Sequence, residues 1–238
     1  MKSVIKFFLD TMGYELTKKN IPSKTNVALK KIFLKYQSYS MLPENIYIDN
    51  LMLIEQASKI EGDVCECGVW KGGMIAGIAE LLGKGRSYYL FDSFEGLPAA
   101  KEIDGTDALM WQKNKEGATY YNNCSAEEYY AQKAMDLTKT DYYIKKGWFN
   151  ETLPLYKNNT PIAILRLDGD WYDSTFDCLK YLYPFVNNNG IIILDDYYAW
   201  EGCSRALHDY LSSINSVSRI HKTVAGTAYV IKKDKYGN

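Results

Sequence analysis

Two apolar runs in the second half of the chain, each with the composition of a buried β-strand, constrain its fold most. They are Ile162–Leu167 and Ile191–Leu194. The segment between them has the helical spacing of Thr175, Cys178, Leu179, Leu182 and Phe185, followed by the turn sequence Asn187–Gly190. A strand, a crossover helix and a second strand form a βαβ unit, whose strands are parallel. Their carboxyl ends then meet at one edge of the sheet, where open α/β folds bind ligands.

Carboxylates follow both runs directly: Asp168 and Asp170 after the first, and Asp195 and Asp196 after the second. The βαβ arrangement brings them together, and like charges at short distance are unfavourable without a cation. Carboxylate oxygens favour Mg²⁺, Mn²⁺ or Ca²⁺ over zinc. The sequence therefore predicts a divalent-metal site. The competing interpretation is structural, with the first two acids as caps and the other two at a solvated strand end.

The rest of the chain continues the alternation of strands and helices. Strands are predicted at 63–67, 87–91 and 142–146, helices at 46–60, 72–82, 127–137 and 202–214, and a terminal hairpin at 220–224 and 228–232. The pattern predicts an α/β fold, a doubly wound sheet that is mostly parallel with an antiparallel hairpin at one edge. Residues 95–125 are too long for a simple connection and are predicted to be a lid-like insert. Residues 1–50 are expected to be a helical extension, which leaves 51–238 as the main domain.

Length, charge and cysteine content exclude several classes of protein. A chain of 238 residues is expected to form one domain of the larger α/β kind. With 28 basic and 29 acidic residues, the net charge of −1 gives no case for nucleic acid as a partner. The number of cysteines, five, is odd, and two of them, Cys65 and Cys67, are expected to be buried thiols of a reducing compartment. Asp10 interrupts the short apolar run near the N-terminus, so we expect neither a signal peptide nor a membrane span, and predict a cytoplasmic protein.

A glycine-rich turn follows the first predicted strand. Gly68 and Gly72 allow a sharp turn and a close approach of the backbone to a ligand, but the spacing is neither that of a dinucleotide fingerprint nor that of a P-loop. Asp92 ends the second strand, where an acid can hold the hydroxyls of a ribose. A nucleoside site without a pyrophosphate cradle, beside a metal site, indicates S-adenosylmethionine.

Five motifs, in this order, extend these local patterns to most of the chain. They are GDVCECGVWKGG (62–73), FDSFEGLP (91–98), GWFNETLP (147–154), LRLDGDWYDST (165–175) and LDDY (194–197). Together they make the chain resemble the macrocin O-methyltransferase family from about Tyr39 to its end. That resemblance implies a Rossmann-like class I methyltransferase fold with a seven-stranded sheet and helices on both faces. It also implies methylation of sugar hydroxyls with S-adenosylmethionine and Mg²⁺ (or Mn²⁺), and a homo-oligomer, dimeric or tetrameric.

The resemblance also assigns expected roles to residues. Asp168, Asp195 and Asp196 match the metal ligands, and Asp170, with Asp168, is the expected catalytic pair, Asp170 as general base. The residues expected at the cofactor are Glu66, Gly68, Val69, Trp70, Gly72, Asp92, Ser93, Gly147, Trp148 and Asp168. The expected acceptor is a sugar hydroxyl on a natural-product glycoside, a nucleotide sugar or a surface polysaccharide. Residues 1–50 are expected to serve as a substrate cap or an oligomer contact.

The chemistry is consistent with these residue types. A sugar hydroxyl is a poor nucleophile at neutral pH, and coordination to Mg²⁺ lowers its pKa and orients it. Asp170 can accept the proton. Two alternatives stay open from the sequence, a catechol-type O-methyltransferase and a non-catalytic metal-binding α/β protein. Arg166, a charge within an apolar strand, needs a partner and is expected to brace the acidic cluster or an oligomer contact.

Overall fold

The computed structural model describes residues 24–157 and 159–233. Its first two helices are α1 (Lys24–Tyr36) and α2 (Glu44–Gln56), joined through a 3-10 turn at Gln37–Tyr39. Helix α2 begins directly after Pro43, two residues earlier than the apolar spacing predicts, because proline fixes an extended backbone and ends the preceding segment. Residues 1–23 of the predicted extension lie outside the described residues.

Strands and helices alternate from residue 63 onward. In chain order they are β1 (Asp63–Cys67), α3 (Gly73–Leu82), β2 (Tyr88–Asp92), α4 (Thr106–Lys113), α5 (Glu128–Asp136), β3 (Tyr142–Lys146), α6 (Phe149–Thr152), β4 (Ile162–Leu167), α7 (Tyr172–Leu182), β5 (Val186–Leu194), α8 (Glu201–Ser213), β6 (Ile220–Lys222) and β7 (Ala228–Ile231). The seven strands form one sheet in the order β3-β2-β1-β4-β5-β7-β6. Strands β1 to β5 are parallel, and β7 is antiparallel to β5 and β6. The predicted mostly parallel sheet with an antiparallel edge pair is confirmed.

Helices cover both faces of the sheet, as predicted. Alternate strand residues point to opposite faces, so Val64 packs under α1, α2, α3 and α5, whereas Cys65 packs under α7 and α8. The order of the parallel strands reverses between β1 and β4, which are neighbours in the sheet. Loops leaving their carboxyl ends therefore diverge and open a crevice, the usual ligand site of such folds.

The sequence misplaces one turn. Residues Asn187–Gly190 belong to β5, which begins at Val186 and pairs there with Ile162. The next pairing joins Ile164 to Ile191, so the extra residues of β5 form a bulge. Asn189 takes a left-handed backbone in this bulge (φ 65°), which explains why the same residue types resemble a turn.

The remaining predictions for this part of the chain hold with small differences. The terminal hairpin strands, β6 and β7, are shorter than predicted, and the insert at 95–125 contains the helix α4. All five cysteines are free thiols, and four of them are buried. Among the described residues, no helix is both long and apolar enough to span a bilayer.

Candidate active site

The acids after β4 and β5 meet at the carboxyl edge of the sheet. The register pairs Leu167 with Leu194, so the residues that follow these two leave the sheet side by side. Asp168, Asp195 and Asp196 each offer a carboxylate oxygen, and these oxygens lie within 4.8 Å of one another. The structure thus brings together the three acids predicted to hold a metal.

Arg166 explains how so many carboxylates coexist. Its guanidinium is almost completely buried (1% exposed) and forms ion pairs with Glu66 and Asp168 at 2.7 Å and with Asp195 at 2.6 Å. The sequence-based expectation that this arginine braces the acidic cluster agrees with this geometry. Burial and the proximity of Asp168 still raise the pKa of Asp195 to about 6, although Arg166 lowers it. One guanidinium therefore compensates the cluster only in part.

Asp170 lies beside the cluster but is held differently. Its backbone is left-handed (φ 57°), and its N–H donates to Oδ2 of Asp196 at 3.2 Å. The indole Nε1 of Trp200 donates to Oδ1 of Asp170 at 2.8 Å. Burial and then the charge of Asp168 raise the pKa of Asp170 to about 7. Its side chain is therefore separate from the three potential metal ligands and close to them.

The glycine-rich turn after β1 is shaped around the same edge. Gly68 has φ +83°, and a Cβ at this position would overlap the backbone carbonyl of Asp168, so no larger residue fits. Asp92, at the end of β2, accepts hydrogen bonds at its two carboxylate oxygens from the N–H groups of Val69 (2.7 Å), Trp70 (2.9 Å) and Phe94 (2.7 Å). Asp92 therefore fixes the conformation of the turn.

Beside this turn, Glu66 and Trp70 each have a buried polar atom without a hydrogen-bond partner among the described residues. One oxygen of Glu66 accepts from Arg166, while Oε2 is buried and has no hydrogen-bond partner among the described residues. The same is true of the Trp70 indole N–H. Burial raises the pKa of Glu66 to about 7, although Arg166 lowers it. Buried polar atoms are normally paired, so these two indicate a ligand that supplies a donor and an acceptor.

A single cavity of about 740 Å³ joins these features. The predicted site residues that line it are Glu66, Gly68, Val69, Trp70, Asp92, Ser93, Trp148, Asp168, Asp170, Asp195 and Asp196. Gly72 and Gly147 are not among its lining residues. A Cβ at Gly72 would approach Ala131 of α5 to about 3 Å, and the Gly147 N–H donates to the carbonyl of Asp92. Both glycines therefore serve helix packing and strand pairing, which is why a motif alone does not separate them from cavity residues.

Comparison with known proteins identifies the family. Residues 37–230 match the model of the macrocin O-methyltransferase (TylF) family. The chain belongs to this family. The resemblance drawn from the five motifs is confirmed.

Three curated relatives are O-methyltransferases by name. A demethyldecarbamoylnovobiocin O-methyltransferase of Streptomyces niveus is 35% identical over 162 residues, which are 64% of this chain and 59% of that protein. A tetracenomycin-C 4'-O-methyltransferase of Streptomyces olivaceus, whose named substrate carries a dimethoxy-rhamnosyl group, is 33% identical over 68% of this chain and 64% of its own. A mycinamicin III 3''-O-methyltransferase of Micromonospora griseorubida is 32% identical over 63% and 61%. The matches thus span less than two thirds of each relative.

Solved structures confirm the fold. The O-methyltransferase NovP superposes with a TM-score of 0.68 at 22% identity and 98% coverage of both chains. The calicheamicin methyltransferase CalS11 gives 0.61 at 19% identity, over 89% of this chain and 94% of its own. At these identities the likeness establishes the class I O-methyltransferase fold, as predicted for this family.

The sequence does not predict that residues of the insert and Trp200 line the cavity. Pro98, Asp104 and Trp111 of the insert line it. The insert is tied down by the Trp171 indole, which donates to the Pro98 carbonyl at 2.9 Å, and by the Tyr172 N–H, which donates to Asp104 at 2.7 Å. The position of Trp200 in the sequence, relative to Asp170 and Asp196, matches no motif that would predict its hydrogen bonds to them. The only sequence signal of Trp200 is its place in the loop after the Asp195–Asp196 pair.

Proposed function

We propose that this chain is an enzyme that transfers a methyl group from S-adenosylmethionine to a hydroxyl of a sugar, with Mg²⁺ or Mn²⁺ as a cofactor. The observation that carries the proposal is the adjacency of two sites in one cavity. The glycine turn after β1 and the carboxylate cluster after β4 and β5 meet where Gly68 touches the backbone of Asp168. A methyl donor and a metal-held acceptor would therefore lie next to each other.

The residues present fit S-adenosylmethionine. The buried Oε2 of Glu66 and N–H of Trp70 lack partners among the described residues, and the ligand carries ammonium and carboxylate groups as well as a nucleoside. Asp92 and Ser93 end β2 and line the cavity, as does Trp148. In our proposal Glu66, Gly68, Val69, Trp70, Asp92, Ser93 and Trp148 bind the cofactor. Gly72 and Gly147 support the turn and strand from outside the cavity.

The residues also fit a hard divalent cation. Asp168, Asp195 and Asp196 supply three carboxylates within reach of one point, and oxygen ligands of this kind suit Mg²⁺ and Mn²⁺. Burial and then the charge of Asp170 raise the pKa of Asp196, which supports a site that a positive charge would complete. When bound, the cation would lower the pKa of an acceptor hydroxyl.

Asp170 is the group that we propose accepts the hydroxyl proton. It is not needed as one of the three ligands, and it faces the same cavity. A cation at the neighbouring acids would lower the pKa of Asp170 from its value of about 7 and keep the carboxylate ionised, so that it can accept a proton. Trp70, Trp148 and Trp171 line the cavity with aromatic surface, and an apolar wall favours a reaction in which a sulfonium loses its charge.

The acceptor in this proposal is a sugar, on a natural-product glycoside, a nucleotide sugar or a surface polysaccharide. The named substrate of the Streptomyces olivaceus relative carries a rhamnosyl group, which supports a deoxysugar. Tyr39, Ser40, Met41 and Leu42 line the cavity, which supports a substrate-cap role for the N-terminal extension. The insert lines it as well, which supports a lid. We further propose that the protein acts as a homo-oligomer in the cytoplasm.

Calorimetry and product analysis test the proposal together. S-adenosylmethionine is titrated into the protein with and without Mg²⁺, and binding in the micromolar range is expected. The protein is then incubated with the cofactor, Mg²⁺ and a panel of methyl rhamnoside, TDP-rhamnose and dihydroxybenzoate, followed by mass spectrometry for a gain of 14 Da. Methylation of a sugar supports the proposal, and methylation of dihydroxybenzoate alone would favour the catechol-type alternative. Folded protein that binds no S-adenosylmethionine would refute it.

A further inference from the structure

Three tryptophans pack against one another on the cavity side of Asp170. They are Trp111 on α4, Trp171 before α7 and Trp200 before α8. Their ring centroids are 6.0 Å apart for Trp111–Trp171 and Trp111–Trp200, and 5.3 Å apart for Trp171–Trp200. The rings meet at steep angles of 62–73°, a favourable edge-to-face arrangement. The trio therefore fixes each indole in one orientation.

The three indole N–H groups have different acceptors. Trp111 donates to the hydroxyl of Thr119 at 3.1 Å, and Trp171 donates to the carbonyl of Pro98 at 2.9 Å. Both of these bonds hold the insert. Trp200 alone of the three donates to a carboxylate, Oδ1 of Asp170, at 2.8 Å. Trp200 thus bonds to the proposed base, Asp170, whereas Trp111 and Trp171 bond to residues of the insert.

The contact between Trp200 and Asp170 has a defined chemical effect. An indole N–H donates and cannot accept, so it orients the carboxylate without competing for the proton. It engages Oδ1 of Asp170, so in the proposed function Oδ2 is the oxygen that would accept from the acceptor hydroxyl. The backbone N–H of Trp200 donates to the carbonyl of Asp196 at 2.9 Å, which ties the indole to the strand end that carries the metal ligands. The orientation of Asp170 is therefore set relative to the site where a hydroxyl would be held.

We propose that Trp200 is a positioning residue for methyl transfer, which acts by holding the Asp170 carboxylate through its indole N–H. The inference rests on the proposed function, in which Asp170 accepts the hydroxyl proton. Trp111 and Trp171 contact Trp200 through their rings, whereas their N–H groups bond to the insert and not to Asp170. A carboxylate on a left-handed residue at a loop turn has few other restraints, since the backbone N–H of Asp170 orients Asp196 and not its own side chain.

Matched substitutions separate this role from a general effect of losing an indole. Trp200→Phe and Trp111→Phe each keep an aromatic ring in the trio and remove one N–H. Initial rates are measured with S-adenosylmethionine, Mg²⁺ and TDP-rhamnose or methyl rhamnoside. Loss of a positioned base costs on the order of 100-fold to 10,000-fold, so we expect Trp200→Phe to lower kcat by about tenfold or more. We expect Trp111→Phe to lower it far less, and both variants to keep KM for the acceptor and Kd for S-adenosylmethionine within about threefold.

A spectroscopic measurement tests the contact without an acceptor. The five indole N–H resonances of the ¹⁵N-labelled protein are assigned from single Trp→Phe variants. Asp170→Gly tolerates the left-handed backbone and removes the carboxylate, and Asp170→Asn keeps the shape and removes the charge. Both are expected to move the Trp200 resonance upfield while that of Trp111 stays in place. Folding of every variant is checked by thermal melting.

The outcomes are distinct. Equal kcat values for Trp200→Phe and Trp111→Phe would overturn the inference, as would a loss confined to KM or to cofactor affinity. A Trp200 indole N–H chemical shift that stays the same in both Asp170 variants would also overturn it. Wild-type protein that binds S-adenosylmethionine but methylates none of the sugars would instead count against the proposed function, and the resonance shifts would still decide whether Trp200 holds Asp170.

Discussion

Replacing Arg166 by methionine should destabilise the protein strongly. The guanidinium is 1% exposed and pairs with Glu66, Asp168 and Asp195 at 2.6–2.7 Å. Methionine fills much of the same volume but leaves three acids without their shared partner. Breaking a buried ion pair by removing one side costs about 3–5 kcal/mol, because the remaining charge is uncompensated. At about 2–4 °C per kcal/mol for a domain of this size, the melting temperature should fall by about 6–20 °C.

The assay is thermal unfolding followed by circular dichroism, with Arg205→Met as the control. Arg205 lies on the exposed side of α8, so this variant loses the same charge without exposing a buried acid. A change of no more than about 0.5 kcal/mol is expected there. Mg²⁺ at one hundred times its Kd should stabilise Arg166→Met by about 2.7 kcal/mol relative to the same variant without Mg²⁺.

The pH dependence gives the same reasoning a second test. Burial raises the pKa of Glu66 to about 7, and Arg166 is the main influence that lowers it, so Arg166→Met should raise it further. A carboxyl whose folded pKa exceeds its unfolded value adds stability at low pH and loses it as pH rises through the folded pKa. The deficit of the variant should therefore be larger at pH 8 than at pH 5.5. If the melting temperature of Arg166→Met falls no more than that of Arg205→Met at both pH values, the argument is refuted.

Three further substitutions test the two halves of the site. Asp196→Ala should abolish sugar methylation while the calorimetric Kd for S-adenosylmethionine stays within a few-fold, and an active variant would refute the metal assignment. Asp92→Ala should raise that Kd by about tenfold or more, because the turn loses the acceptor for its backbone N–H groups; unchanged affinity would contradict this role. Gly68→Ala should cost at least about 2 kcal/mol in thermal unfolding, since it overlaps the carbonyl of Asp168 at a positive φ, and a stability like that of wild type would show that the turn can relax.

Much of the fold follows from local sequence patterns. The runs Ile162–Leu167 and Ile191–Leu194 pair as neighbouring parallel strands. Their register, with Leu167 opposite Leu194, places Asp168 beside Asp195. Gly68 is similarly informative, because its φ of +83° is a backbone conformation that glycine adopts far more readily than other residues. These features are predictable because strand period and backbone sterics act over a few residues.

Other features depend on contacts between distant segments, and the sequence does not reveal them. The Asn187–Gly190 stretch has turn composition, yet pairing with β4 keeps it in the strand as a bulge. Gly72 has the position of a ligand-binding glycine, yet α5 packs against it. Trp200 reaches Asp170 across 30 residues of sequence, and nothing in its neighbours indicates this hydrogen bond. In each case a tertiary contact, which no local period encodes, determines the role.

The charges at the sheet edge connect these observations to the need for a cation. Five carboxylates, those of Glu66, Asp168, Asp170, Asp195 and Asp196, line the cavity together with the guanidinium of Arg166, which pairs with the first, second and fourth of them. If all ionised, five negative charges would face one positive charge, leaving an excess of four. Raised pKa values at Glu66, Asp170, Asp195 and Asp196 show how the protein alone reduces this excess, by binding protons. A divalent cation and the sulfonium of the methyl donor would add three positive charges, and both would therefore bind more tightly as these protons are released.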